Sequence, residues 1–169
     1  MALTTTLHEA LAAGFTRLTA GQDAAEIVGY AVCSDSDASS LYLAAHTRSA
    51  RDEQVAEDPK YASSYVWNPD EWDLPDEDDI DSDLVPAANQ AIEALDDSDI
   101  AAHRETVWSA VVDAMAQLVD EGFFARSPQA IRVVLVTDGG DEATQCDWNV
   151  RLNGEDCRPE LVEFLGLEE

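Results

Sequence analysis

The chain has 169 residues, 46% of them hydrophobic, with 36 acids against nine bases and a formal net charge of −27. That length fits a single domain, 1–169, and the apolar content sets it apart from disordered acidic chains. The charge argues against nucleic acid and against anionic membranes as ligands, because both require Lys and Arg to displace counterions.

In chain order, Thr6 and Glu9 have capping-box spacing, and Leu7, Leu11, Phe15 and Leu18 follow at helical intervals up to Gly21. The segment EIVGYAVC, 26–33, is apolar on both faces and predicts a central strand. Turn residues at 34–39 lead to a returning strand over 40–45. Thr47 can cap a short helix that must stop before Pro59. Residues 61–67 have the Tyr and Val content of a strand, with Asn68-Pro69 as a turn.

Pro86 suits the first position of a helix over 86–95. Ser98 precedes the longest helix, 99–121, whose Ile100, Val107, Val111, Met115 and Leu118 share a face before Gly122. IRVVLVT, 131–137, predicts a second two-sided strand. CDWNVRL, 146–152, alternates and predicts a half-solvated strand with Cys146, Trp148, Val150 and Leu152 inward. Asn153-Gly154 marks a turn, and 159–165 a closing helix. This order predicts an α+β single domain: a mainly antiparallel sheet with helices packed on one face.

The acids are not evenly spread. Residues 52–99 hold 17 of them against one base, and an acidic loop is expected at about 68–85, where nine of the fourteen positions from Asp70 to Asp83 are acidic. Whole-proteome bias would not concentrate charge in this way. Asp79, Asp81 and Asp83 have the spacing that opens a calcium-binding EF-hand loop, but Leu84 and Gln90 stand where that loop needs Gly and Glu, so no metal site is predicted. Three cysteines without a C-x-x-C argue against a disulfide framework or zinc. No nucleotide loop and no G-x-S-x-G elbow occurs, so neither a cofactor nor a catalytic residue is predicted. His8, His46 and His103 read as structural. With no basic leader and no run of 18 apolar residues, a cytoplasmic location is expected.

Trp108 and Trp148 read as core. Trp67 and Trp72 bracket the start of the acidic loop, where they either pin it to the body or expose an aromatic anchor beside the acids. The candidate partner-binding residues are therefore Trp67, Asp70, Glu71, Trp72, Asp76, Glu77, Asp78, Asp79, Asp81 and Asp83.

Four stretches in order, 29–47, 65–72, 107–124 and 132–142, resemble the bacterial family called domain of unknown function 4303. The W-x-P-x-E-W segment (Trp67, Pro69, Glu71, Trp72) and the E-G-F-F segment, 121–124, carry most of the likeness. The resemblance implies a small α+β domain and brings no active site with it. By analogy with small acidic bacterial domains, the expected function is non-catalytic. The chain would be an immunity-type binding protein that neutralises a basic toxin or nuclease by electrostatic occlusion. The alternatives are a structural or adaptor subunit of a larger assembly and, third, an enzyme of unrecognised class.

Overall fold

The sheet at the centre of the chain has three strands in the order β2-β1-β3. The computed structural model describes residues 2–75 and 83–167. The middle strand, β1 (Ile27–Ser34), is buried at every position, as its two-sided apolar sequence requires. β2 (Tyr42–Thr47) runs antiparallel to it as the predicted hairpin partner. β3 (Ile131–Val136) runs parallel to β1. The sheet is therefore mixed, which corrects the expectation of a mainly antiparallel one.

Among the described residues seven α-helices surround the sheet: α1 (Leu3–Leu18), α2 (Arg48–Glu57), α3 (Ala62–Trp67), α4 (Pro86–Glu93), α5 (Ile100–Asp120), α6 (Glu142–Asn153) and α7 (Arg158–Leu165). The helical spacing in α1 buries Leu7, Leu11 and Phe15 as predicted, but the helix starts a turn earlier. Thr6 is therefore inside it, and the amides of Thr5 and Thr6 bond the Ala2 carbonyl. Thr47 caps α2 as expected, accepting from the Ala50 amide. Asp99, not Ser98, caps α5, accepting from the amides of Ala101 and Ala102.

Successive strand residues point to opposite faces, and here both faces are covered. Tyr30, Val32, Leu43, Ala45, Val134 and Val136 form one core with the apolar faces of α1, α4 and α5. Ala31, Cys33, Ala44, Val133 and Leu135 form the other, with Trp67, Trp72, Cys146, Val150 and Leu161. Helices on one face only would have left the second row of β1 side chains in water. The α+β single domain holds, with helices on both sides.

Two predicted strands are helices. Residues 62–67 form α3, entered through a short 3-10 turn at Pro59–Tyr61. Residues 146–152 belong to α6, which lies along the outer edge of β3. In a helix Cys146 and Val150 are one turn apart on one flank, and Trp148 and Leu152 are one turn apart on the other. The first pair joins one core and the second pair meets the other, where the Trp148 ring stacks on Trp108 at 5.4 Å. An alternating apolar pattern thus arises from a helix that straddles a sheet edge.

Between those flanks runs a row of amides, Gln145, Asn149 and Asn153. The backbone N–H groups of Val136, Val134 and Arg132 donate to their side-chain oxygens at 2.9, 2.8 and 2.8 Å. The amide groups of Asn149 and Asn153 donate back to the carbonyls of Val134 and Arg132 at 3.0 and 2.6 Å. Four residues of helix advance about 6 Å and two residues of strand about 6.6 Å, so the two repeats stay in step. Asn149→Ala should lower stability by about 2–4 kcal/mol, because buried N–H and C=O groups of Val134 lose their partners. Urea unfolding would read this as a lower midpoint at unchanged slope, and hydrogen exchange as lost protection of the Val134 amide.

Candidate functional site

The segment that follows α3 builds one wall of a surface cleft. Asn68 caps a 3-10 turn, Pro69–Glu71, with its side chain accepting from the Asp70 amide. The two tryptophans flanking this turn are packed inward. Trp67 is 1% exposed, and its indole N–H donates to Glu160 Oε2 at 3.3 Å. Trp72 is buried as well, its N–H donating to the Tyr65 carbonyl at 3.2 Å. Of the two readings for these rings, pinning the loop to the body is the one that matches their burial. Neither ring protrudes as an anchor.

Trp72 lies flat on the His46 ring, with centroids 5.6 Å apart and planes within 1°. Its far edge covers Gly29, where a Cβ would come within 2.7 Å of the indole. Glycine at 29 is thus what allows the indole to rest on the sheet. Beyond the ring, Asp73 accepts from His46 Nδ1 at 2.8 Å, from the Thr47 amide at 2.8 Å and from the Thr47 hydroxyl at 2.6 Å. Leu74 then exchanges two backbone hydrogen bonds with Ala45 at 3.0 and 3.1 Å. Residues 72–74 are in this way strapped to the outer edge of β2, and the acidic loop begins from a paired segment.

The strap forms one wall of a cleft of about 550 Å³. Leu43, Leu74, Pro75 and Leu84 give it an apolar lining, and Asp70 and Asp83 bring carboxylates to it. Each carboxylate is held by one oxygen. Asp70 Oδ1 accepts from the Tyr42 hydroxyl at 3.1 Å. Asp83 Oδ1 accepts from the Val85 amide at 3.0 Å and from Asn89 Nδ2 at 3.4 Å. Among the described residues no Lys or Arg pairs with either acid. Asn89 also clamps the start of β2, accepting from the Leu41 amide at 2.7 Å and donating to its carbonyl at 3.1 Å.

Partial burial pushes the Tyr42 phenol up, and the adjacent Cys33 and Asp70 push it the same way. Burial likewise raises the Cys33 thiol, against the opposing effect of a hydrogen bond with Tyr42. Both groups stay protonated at neutral pH, so Tyr42 remains a donor to Asp70 and Cys33 is not a thiolate nucleophile. Among the described residues no group of three or more His, Cys, Asp and Glu side chains is arranged to hold a metal ion. No helix among them is long and apolar enough to cross a membrane.

Of the ten residues predicted to bind a partner, the structure brings Asp70, Trp72 and Asp83 together at this cleft. Trp67 is buried outside its lining, and Glu71 is exposed beside it, with its carbonyl accepting from Gln54 Nε2 at 2.6 Å. Asp76, Glu77, Asp78, Asp79 and Asp81 lie outside the described residues. The sequence reading missed Tyr42, Leu43, Leu74 and Asn89, which come from β2, the strap and α4. Nothing in a single sequence marks them as neighbours.

Fold and cleft together define a small α+β domain in which a three-stranded mixed sheet is enclosed by helices and bears an acid-rimmed cleft at one edge. The chain belongs to the family described as Domain of unknown function (DUF4303), which it matches over residues 7–154. Neither a curated protein nor a solved structure shows a significant match to it.

Asp73 offers a test of the strap. Partial burial raises its pKa, and the hydrogen bonds from His46 and Thr47 outweigh that, so its net value lies below that of an ordinary carboxyl. A carboxyl with a depressed folded pKa contributes stability that is present above its unfolded value of about 3.9 and is lost as pH falls through the folded one. Asp73→Asn should therefore cost about 1–3 kcal/mol at pH 7. The gap to wild type should narrow as the pH drops below about 4. Urea unfolding at a series of pH values measures both.

Proposed function

We propose that this chain is a non-catalytic acidic binding protein that captures a basic protein partner, in the manner of a bacterial immunity protein. The observation that carries this reading is the cleft beside β2, where the Asp70 and Asp83 carboxylates are held in place by Tyr42, Val85 and Asn89 yet meet no cation among the described residues. Carboxylates fixed in this way suit a cation brought by another molecule. Their surroundings add to the attraction, since residues 52–99 hold 17 acids and one base. A field of that sign speeds encounter with a basic surface such as the nucleic-acid groove of a nuclease toxin, and covering that groove would neutralise the toxin.

The test is to purify the native complex at low ionic strength, identify the partner and rebuild the pair from purified components. A basic partner is expected, with an association rate that falls about tenfold or more between 50 and 300 mM salt. Asp70→Lys with Asp83→Lys should slow association further, and the unfolding midpoint measured alongside separates this from any stability lost with their hydrogen bonds to Tyr42, Val85 and Asn89. A neutral or acidic partner, or a rate indifferent to both salt and charge reversal, would sink the reading.

A further inference from the structure

We propose that the cleft beside β2 seats a single arginine side chain of the basic partner; this rests on the function proposed above and adds the manner of recognition. Shape limits the occupant first. At about 550 Å³ the cleft could enclose no more than about one turn of a helix 10–12 Å across. An added strand is excluded as well, because it would need the outward backbone groups of β2. Those of Leu41 are bonded to Asn89 and those of Ala45 to Leu74. Among the described residues only Leu43, between them, keeps its N–H and carbonyl free on that side, by the alternation of an antiparallel strand, and one residue's pair of bonds does not make a ladder. A side chain is what fits.

Chemistry then selects which side chain. The apolar lining from Leu43, Leu74, Pro75 and Leu84 suits an alkyl stem, and Asp70 and Asp83 add acceptors to the same cleft. Asp70 and Asp83 each have their Oδ1 engaged, and among the described residues neither Oδ2 accepts a hydrogen bond. The two carboxylates come from different elements, one from the turn after α3 and the other from the approach to α4. A planar guanidinium with five N–H donors can address separated acceptors at once, and it is less strongly hydrated than an ammonium. Lysine offers a compact, tightly hydrated charge, which is a poorer match to acceptors supplied by two separate elements.

The test uses the full chain, uniformly labelled with ¹⁵N, and Nα-acetyl-arginine amide as the probe, with the lysine and citrulline analogues in parallel. Citrulline keeps the shape of arginine and removes its charge, so this comparison needs no altered protein. The arginine probe should shift the amides of Tyr42, Leu43, Trp72 and Leu74, and citrulline should bind about tenfold more weakly or worse. Asp70→Asn and Asp83→Asn should each weaken the arginine probe about three- to tenfold. Shifts spread over the acidic surface without gathering at the cleft, or equal binding of arginine and citrulline, overturn the inference. Should the rebuilt complex still form with a basic partner in that case, the function proposed above stands and only the arginine seat is lost. A wild-type chain that binds no basic partner overturns both.

Discussion

A three-stranded sheet has two edges, and each presents a row of backbone donors and acceptors that must be satisfied or hidden. The architecture of this chain depends on how that is done without further strands. Along β3 the helix α6 supplies the missing hydrogen bonds from its side chains, with Gln145, Asn149 and Asn153 taking the positions a fourth strand would occupy. The match of helix and strand repeats makes this possible, and it fixes where α6 must lie, between the two helical layers with an apolar flank toward each. Because the amide row holds this edge, the crossover from the β1–β2 hairpin can return parallel to β1, and no closing hairpin is needed.

The other edge is managed piecemeal, and that is where the candidate site arises. Asn89 bonds β2 at Leu41, Leu74 bonds it at Ala45, and Asp73 takes the Thr47 amide. Between the first two the edge has no such cover among the described residues, and the cleft opens there. The strap that walls it is held by stacking and charge-assisted hydrogen bonds: Trp72 lies on His46 over the bare Cα of Gly29, and Asp73 gathers three donors. A site walled by so fixed a segment loses little ordering entropy when a ligand arrives.

The helices with clean 3.6-residue spacing and the two-sided strands were legible in the sequence, because burial on one face or both leaves a periodic trace. The segment 146–152 was misread for an instructive reason. Its Cys146, Trp148, Val150 and Leu152 alternate because α6 has two apolar flanks separated by amides, a pattern that period alone cannot tell from a strand. The Gln145, Asn149, Asn153 spacing, four apart, was the available clue to a helix with a polar row. The expectation of a mainly antiparallel sheet with helices on one face followed from that misreading, where the structure has β3 parallel to β1 and a second helical layer. The cleft was half legible: Asp70, Trp72 and Asp83 stood out by composition, while Tyr42 meets Asp70 across 28 residues of sequence and Asn89 meets β2 at Leu41 across 48.

The structure also divides the acids by what they do. Asp23, Asp99 and Asp141 cap helices, their carboxylates accepting from the first backbone amides, and Asp35 holds the β1–β2 turn through the amides of Asp37 and Ser39. Asp73 serves the strap. For such residues negative charge is a by-product of the need for a short side-chain acceptor near orphan N–H groups. Net charge alone therefore overstates the surface available to a partner. Asp70 and Asp83, like the capping acids, leave one carboxylate oxygen with no donor among the described residues; what sets them apart is that both line the cleft beside its apolar residues. A carboxylate oriented by the protein but not neutralised by it costs a cationic ligand little reorganisation, so under the proposed function the cleft, more than the total of −27, is where charge would act.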